Sequence, residues 1–300
     1  MATLRGGQKG KSMTSSPTAR RRRLGHELRR LREAARLKAD DVAGRLGWSP
    51  TKVSRIETGR VSVHHGDVSD LLDIYEIRDE RLRDELTTMA RQSRQKGWWH
   101  RHRETLKRGF DSYIGLEAEA STLLTFQPQV IPGLLQTQEY ARAIIMATSI
   151  SSGRSDETAE KLNVRASRQE LLTRNPPLSI HAILDEAIFH RQFGVEIMMG
   201  QCAKLLELSA LPNVTIQVLA FSSGAHPALD GAFNILEFPL PIDPAIVYLE
   251  QAASGLVLED AHELTMYTDV FQRLAKQALP PDESASLIST LMEDPKGSPQ

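Results

Sequence analysis

The sequence predicts two domains of different class, an all-α module at the N-terminus followed by an α+β domain whose sheet is largely antiparallel. Three observations carry this reading. Apolar residues recur at spacings of three and four from Leu24 to Met89, the period of helices with one buried stripe. From Leu178 onward, short runs rich in β-branched residues stand between Gly, Pro, Asn and Asp. Charge changes sign along the chain: residues 1–110 hold 26 Lys and Arg against 14 Asp and Glu, whereas residues 111–300 hold 11 against 24. A basic module joined to an acidic remainder suits a nucleic-acid-binding unit carried by a regulatory or assembly domain, because the acidic part is repelled by a polyanion.

The expected boundaries are a disordered basic tail over 1–23, an all-α domain over 24–97 and a second domain over 98–294. The first residues are rich in Gly, Ser, Thr and Lys and bury too little to offset their ordering entropy. Leu24, Leu28, Leu31 and Ala35 place one stripe on a first helix. A second helix has Asp40 or Asp41 in its first turn and Val42, Ala43 and Leu46 inward, and Gly47 supplies the turn that follows. Ser49 and Pro50 stand in the order of N-cap and first helical residue, which sets a third helix from Pro50 to about Thr58. Its inward residues are Val53 and Ile56, and Gly59 ends it. Two further helices run from Asp67 to about Ile77 and from Asp79 to about Lys96.

Beyond Gly97 a linker with Trp98, Trp99, His100 and His102 precedes helices expected at Leu116 to Thr125, Thr137 to Ala147 and Ser155 to Thr173. The tryptophans suit either an anchor for the linker or the lining of a small-molecule pocket. Strands follow in "LSIHAILDE", "VTIQVLAF", "FNILEF", "IVYLEQ" and "GLVLED", with one helix inserted from Val195 to Leu211. Three strand connections are too short for a crossover helix, hence the antiparallel expectation. The stripe Val195, Met198, Met199, Cys202 and Leu205 reads as core or as a protein-binding groove. A helix from Asp260 to Leu279 carries Leu264, Tyr267, Phe271, Leu274 and Ala278 on one face, as domain core or as a dimer seam. Pro280 and Pro281 stop it before a last short helix.

The stretch Leu28 to Arg60 holds Leu37, Val42, Ala43, Gly47, Ser49, Val53, Ile56, Glu57 and Gly59 in order. It resembles the helix-turn-helix of the phage Cro and repressor class (XRE-like). The resemblance implies that the third helix enters the major groove of double-stranded DNA, giving base reading to Thr51, Lys52 and Arg55. Arg55 can donate two parallel hydrogen bonds to guanine, Thr51 can pack its methyl on thymine, and Lys52 can reach a guanine acceptor or a phosphate. Many relatives carry a bidentate amide near the start of this helix, where this sequence has Pro50. Ser49, Arg45 and Arg60 are expected at phosphates. Arg20, Arg21, Arg22 and Arg23 read as an arm on the phosphates or in an adjacent minor groove, or as a solvated tail. Arg32 and Glu57 match a structural ion pair of the family.

From "GWW" through "PGLLQTQEYAR", "RQELLTR", "ILDEAIFHR", "LPNVTIQVLAF" and "GAFNILEF" to "YTDVFQRL", the remainder resembles a large, uncharacterised C-terminal domain of many actinobacterial regulators. The resemblance implies an antitoxin-like transcriptional regulator, with a small partner protein encoded nearby. That domain is expected to bind such a partner, to sense a metabolite or only to dimerise. A homodimer is expected because one recognition helix reads too few base pairs to find its site.

Catalysis is not expected. The chain has no G-x-S-x-G, P-loop, G-x-G-x-x-G or H-E-x-x-H motif, and Asp185 and Glu186, adjacent in an extended run, point to opposite faces. No metal or cofactor is expected: His64, His65, His100 and His102 lack ligands at a convincing spacing. The single Cys202 cannot form an internal disulfide, no apolar run is long enough to span a membrane, and the basic N-terminus lacks the apolar core of a signal peptide. A cytoplasmic protein is therefore expected.

Overall fold

The computed structural model describes residues 17–93, 102, 106, 109–148, 155–239, 244–251 and 254–293. The chain divides into two compact units between Gln95 and Lys96.

The first unit contains α1 (Pro17–Ala34), α2 (Ala39–Leu46), α3 (Pro50–Glu57), α4 (His65–Ile74) and α5 (Glu80–Ser93). One cluster joins them, with Leu24 and Leu28 of α1 against Val42, Val53, Ile56, Leu71, Leu72 and Leu86. The N-terminal end of α2 is closed by Asp41, whose carboxylate accepts from the Lys38 N–H at 3.0 Å, and its C-terminal end by Gly47 at φ 64°. The expectation of a disordered tail over 1–23 is corrected for residues 17–23, because α1 begins at Pro17 rather than Leu24. Arginine is a good helix former, and packing of this extra turn against the end of α3 offsets its ordering cost.

The second unit holds α6 (Phe110–Glu117), β1 (Thr122–Gln127), α7 (Gln138–Thr148), α8 (Ser155–Gln169), β2 (Ser179–Asp185), α9 (Val195–Ser209) and β3 (Val214–Leu219). It continues with β4 (Phe233–Glu237), β5 (Ile246–Glu250), β6 (Gly255–Leu258), α10 (Ala261–Gln277) and α11 (Pro281–Glu293). The six strands form one mixed sheet in the order β3-β2-β1-β4-β5-β6. Its β1–β2 and β2–β3 pairs are parallel, and its three other pairs are antiparallel. The helix expected from Leu116 to Thr125 is corrected: α6 ends at Glu117, and Thr122–Gln127 is the strand β1. Strands on both sides and packed faces above and below hide the alternation by which a strand is usually recognised.

One sheet face packs Leu123, Ala182, Leu184, Ile216 and Tyr248 under α9 and α11, with Met198, Cys202 and Leu205 of α9 in the same cluster. The other face packs Phe126, Ile183, Phe233 and Val247 against Phe271 and Leu274 of α10 and Ala278 just beyond it. The α10 stripe therefore belongs to the domain core, with Leu264 and Tyr267 partly buried at its margin. The α9 stripe divides: Met198, Cys202 and Leu205 are buried, whereas Val195 and Met199 are exposed.

A pair that the sequence reading did not identify joins α8 to α6. Arg168 Nε and Nη2 donate to the two Glu117 oxygens at 2.6 and 2.7 Å, with Glu117 fully buried. At the outer edge of the sheet the β3 backbone is occupied by its own chain. The Val218 N–H donates to Ser284 Oγ at 2.9 Å, and the Leu279 N–H donates to the Val218 carbonyl at 2.9 Å.

Candidate nucleic-acid interface

The geometry of the α2–α3 pair follows from local chemistry. Gly47 adopts the left-handed conformation that ends α2, and the next amide, Trp48 N–H, returns to the Ala43 carbonyl at 2.8 Å. Ser49 then caps α3, its Oγ accepting from the Lys52 N–H at 3.2 Å, and Pro50 takes the first helical position. Val53, Ile56 and Glu57 are buried, which turns Thr51, Ser54 and Arg55 together to solvent. Thr51 and Arg55 stand where the sequence placed them. Ser54 was missed, although a spacing of three from Thr51 puts it on the same face.

Two devices fix that helix in the unit. Glu57 accepts from Arg32 Nε and Nη2 at 2.6 and 2.9 Å, and Arg32 Nη1 donates to the Leu37 carbonyl at 2.7 Å. The Glu57 hydrogen bonds raise the guanidinium pKa above its ordinary value against the opposing effect of burial. Nearby, burial first and then the Glu57 charge push the Tyr75 phenol upward. The second device is backbone contact between α1 and the end of α3. A Cβ on Gly25 would lie 2.4 Å from the Ile56 carbonyl oxygen and 2.5 Å from that of Glu57. Across the same junction, a Cβ on Gly59 would meet the Arg22 Cα at 2.6 Å, and its φ of 67° independently favours glycine.

Lys52, its side chain 41% exposed, stands beside the outward set but is tethered to the module. Its Nζ lies 3.3 Å from Asp67 Oδ2 on α4 and 3.4 Å from the centroid of the Trp48 ring. A carboxylate and an aromatic face thus hold the ammonium against the module.

The basic residues are distributed unequally. Arg23, Arg45 and Arg60 are exposed, as phosphate contacts require, and Ser49 is also exposed. Arg22 is corrected: at 6% exposure it packs beside Gly59 and does not belong to a free arm. Arg21 is half-buried in α1; Arg20 lies on that helix, with its side chain outside the described residues. His64 caps α4 through Nδ1, which accepts from the Gly66 N–H at 3.1 Å, and His102 sits 2.6 Å from Glu160. Trp98, Trp99 and His100 lie outside the described residues.

Among the described residues no group of three or more His, Cys, Asp or Glu side chains could hold a metal ion, and no helix is long and apolar enough to cross a membrane. Burial pushes the Cys202 thiol up to about 11, so at neutral pH it is a protonated core group rather than a thiolate nucleophile.

Comparison with known families gives two matches. A helix-turn-helix domain matches residues 23–86, which contain α2, α3 and the Arg32–Glu57 pair. A domain of unknown function, DUF5753, matches residues 110–290, more than half of the chain. No curated protein and no solved structure matches the chain.

Proposed function

We propose, for a chain that belongs to the DUF5753 family and carries a helix-turn-helix domain ahead of that region, the role of a sequence-specific, DNA-binding transcriptional regulator acting in the cytoplasm. The observation that carries the reading is the outward face of α3. Thr51, Ser54 and Arg55 are exposed together, while Ser49 fixes the helix start and the Arg32–Glu57 pair fixes its end.

In this reading α3 enters the major groove, Arg55 donates to guanine O6 and N7, and Thr51 and Ser54 meet neighbouring base edges. Arg23, Arg45 and Arg60 hold phosphates, with Ser49 beside them. The protein acts as a homodimer on two half-sites about 34–36 Å apart, and it performs no catalysis. The second unit supplies the dimer contacts and binds a small protein partner, in the manner of the antitoxin-like actinobacterial regulators that its sequence resembles. Metabolite sensing by that unit is the competing reading.

Competition titrations of the full chain against single-base operator variants test the core of the proposal. Arg55→Ala should lose about 1–3 kcal/mol of discrimination at one position, whereas Arg60→Ala should weaken all sites alike and lower the salt slope by about one. Lys52→Ala should weaken binding, at one base position if Lys52 reads a guanine and at all sites alike if it holds a phosphate. An Arg55→Ala protein that weakens every site equally sinks the assignment. Sedimentation and footprinting test the dimer, and a single protected half-site under a monomer overturns it.

A further inference from the structure

Lys52 and Asp67 form an ion pair whose position matters more than its strength. The two side chains are 41% and 33% exposed, and a pair so open to water and salt adds little to folding. Lys52 stands in the first turn of α3, next to Thr51 and three residues before Arg55, so its head group borders the outward face. Asp67 stands in the first turn of α4, and the 3.3 Å contact between Nζ and Oδ2 sets its carboxylate at the edge of the surface assigned to DNA.

A carboxylate at that edge repels a polyanion, and what it does there follows from the cation it holds. A lysine head on four flexible carbons is a charge that finds a phosphate on any sequence. Asp67 draws this head from one element, and the Trp48 ring, its centroid 3.4 Å from Nζ, holds it from the turn between α2 and α3. Two contacts from separate parts of the module fix the ammonium in one position and offset much of its attraction for distant phosphates.

We infer that Asp67 is a specificity-determining residue. By holding Lys52 beside the reading face, it withholds that charge from the phosphates of unrelated DNA and leaves it to the acceptor that a matching site brings to it. The inference rests on the DNA-reading role of α3 proposed above. Specificity is a difference between two affinities, so weakening the wrong complex raises it as strengthening the right one does. An ammonium has three donors, and a held Lys52 still has N–H groups to give an oxygen or nitrogen presented in front of it.

Titration of the full chain against two duplexes over a range of salt tests this. One duplex is selected by the wild-type protein from a randomised pool, and the other is an unrelated sequence of equal length. Asp67→Asn keeps the size of the side chain and removes its charge. It should raise affinity for the unrelated duplex about threefold or more and steepen its salt slope by about one, as one added phosphate contact does. Affinity for the selected duplex should rise less, so the ratio between the two falls. Adding Lys52→Ala to Asp67→Asn should abolish the gain on the unrelated duplex, and melting curves verify that the variants fold. An unchanged ratio or slope in Asp67→Asn overturns the inference. So does a gain that survives Lys52→Ala, since Asp67 then acts only by repelling the phosphates itself. A wild-type chain that selects no duplex overturns the DNA-reading role as well, whereas selection with an unchanged ratio in Asp67→Asn leaves that role standing.

Discussion

Each unit locks one helix to another with a bidentate arginine–glutamate pair, and the two pairs serve different ends. In the N-terminal unit Arg32 and Glu57 are 11% and 6% exposed, and the helix they fix is α3, whose other face is turned to solvent. In the C-terminal unit Arg168 and Glu117 are 7% and 1% exposed, and the pair ties α8 to α6, whose Tyr113 and Leu116 belong to the core against the sheet. Similar chemistry therefore positions a reading surface in one unit and closes a core in the other. A buried ion pair does not by itself indicate a functional site; the free face of the helix it holds does.

Removing the carboxylates one at a time is the most severe way to break this comparison. Glu117→Ala leaves Arg168 charged, dry and facing the Phe110 and Tyr113 rings, and should cost about 3–5 kcal/mol. Glu57→Ala should fall at the lower end of the same range, because Arg32 keeps its bond to the Leu37 carbonyl and more contact with water. Calorimetric scans of the full chain should show the first substitution lowering the C-terminal transition and the second the N-terminal one. The comparison fails if Glu57→Ala proves the more costly, or if it abolishes DNA binding at unchanged melting temperature.

A smaller effect is expected at the α1–α3 junction. Gly25→Ala must displace the carbonyl end of α3, costing about 1–3 kcal/mol and weakening DNA binding through the shift of α3 relative to the α1 arginines. Wild-type melting and retention by this variant would show that the contact has slack.

The smallest effect distinguishes the units by pH. His181 on β2 is partly buried, shares a 2.7 Å hydrogen bond with Gln217 and stands edge-on to Phe271. Burial lowers its pKa, and the Gln217 bond only partly opposes this. The unfolded chain thus binds this proton more readily than the folded one. The stability involved is present above the ordinary histidine value of 6.5 and is lost as pH falls through it toward the folded value. Melting curves from about pH 8 to about pH 5 should show the C-terminal transition declining, and His181→Gln should flatten the decline.

The N-terminal unit was the more legible in the sequence because its signals are local. Ser49-Pro50 starts α3, Gly47 ends α2, and Val53 with Ile56 orients the recognition helix without reference to distant residues. What escaped the reading depends on contacts distant in the chain. The tether of Lys52 is invisible until Asp67, fifteen residues on, is brought beside it. Gly25 looks like an interruption in a helix until the end of α3 packs there. In the second unit, the Leu-rich Thr122–Gln127 run gives no period that separates helix from strand, and only pairing with β2 and β4 decides. The α9 stripe was left open between core and groove, and it divides along its length because only part of it faces the sheet.

The closed edge at β3 bears on how the protein stays in solution. An outer strand with open amides and carbonyls is a template onto which another chain can add its own strand, which is how aggregation begins. Here Ser284 in the first turn of α11 and Leu279 just before that helix occupy the Val218 amide and carbonyl, so a stretch of apolar, β-prone sequence is denied to foreign strands. A chain ending before Ser284 would lose little of the central sheet yet uncover that template. The last helix thus guards against polymerisation as well as contributing to the core.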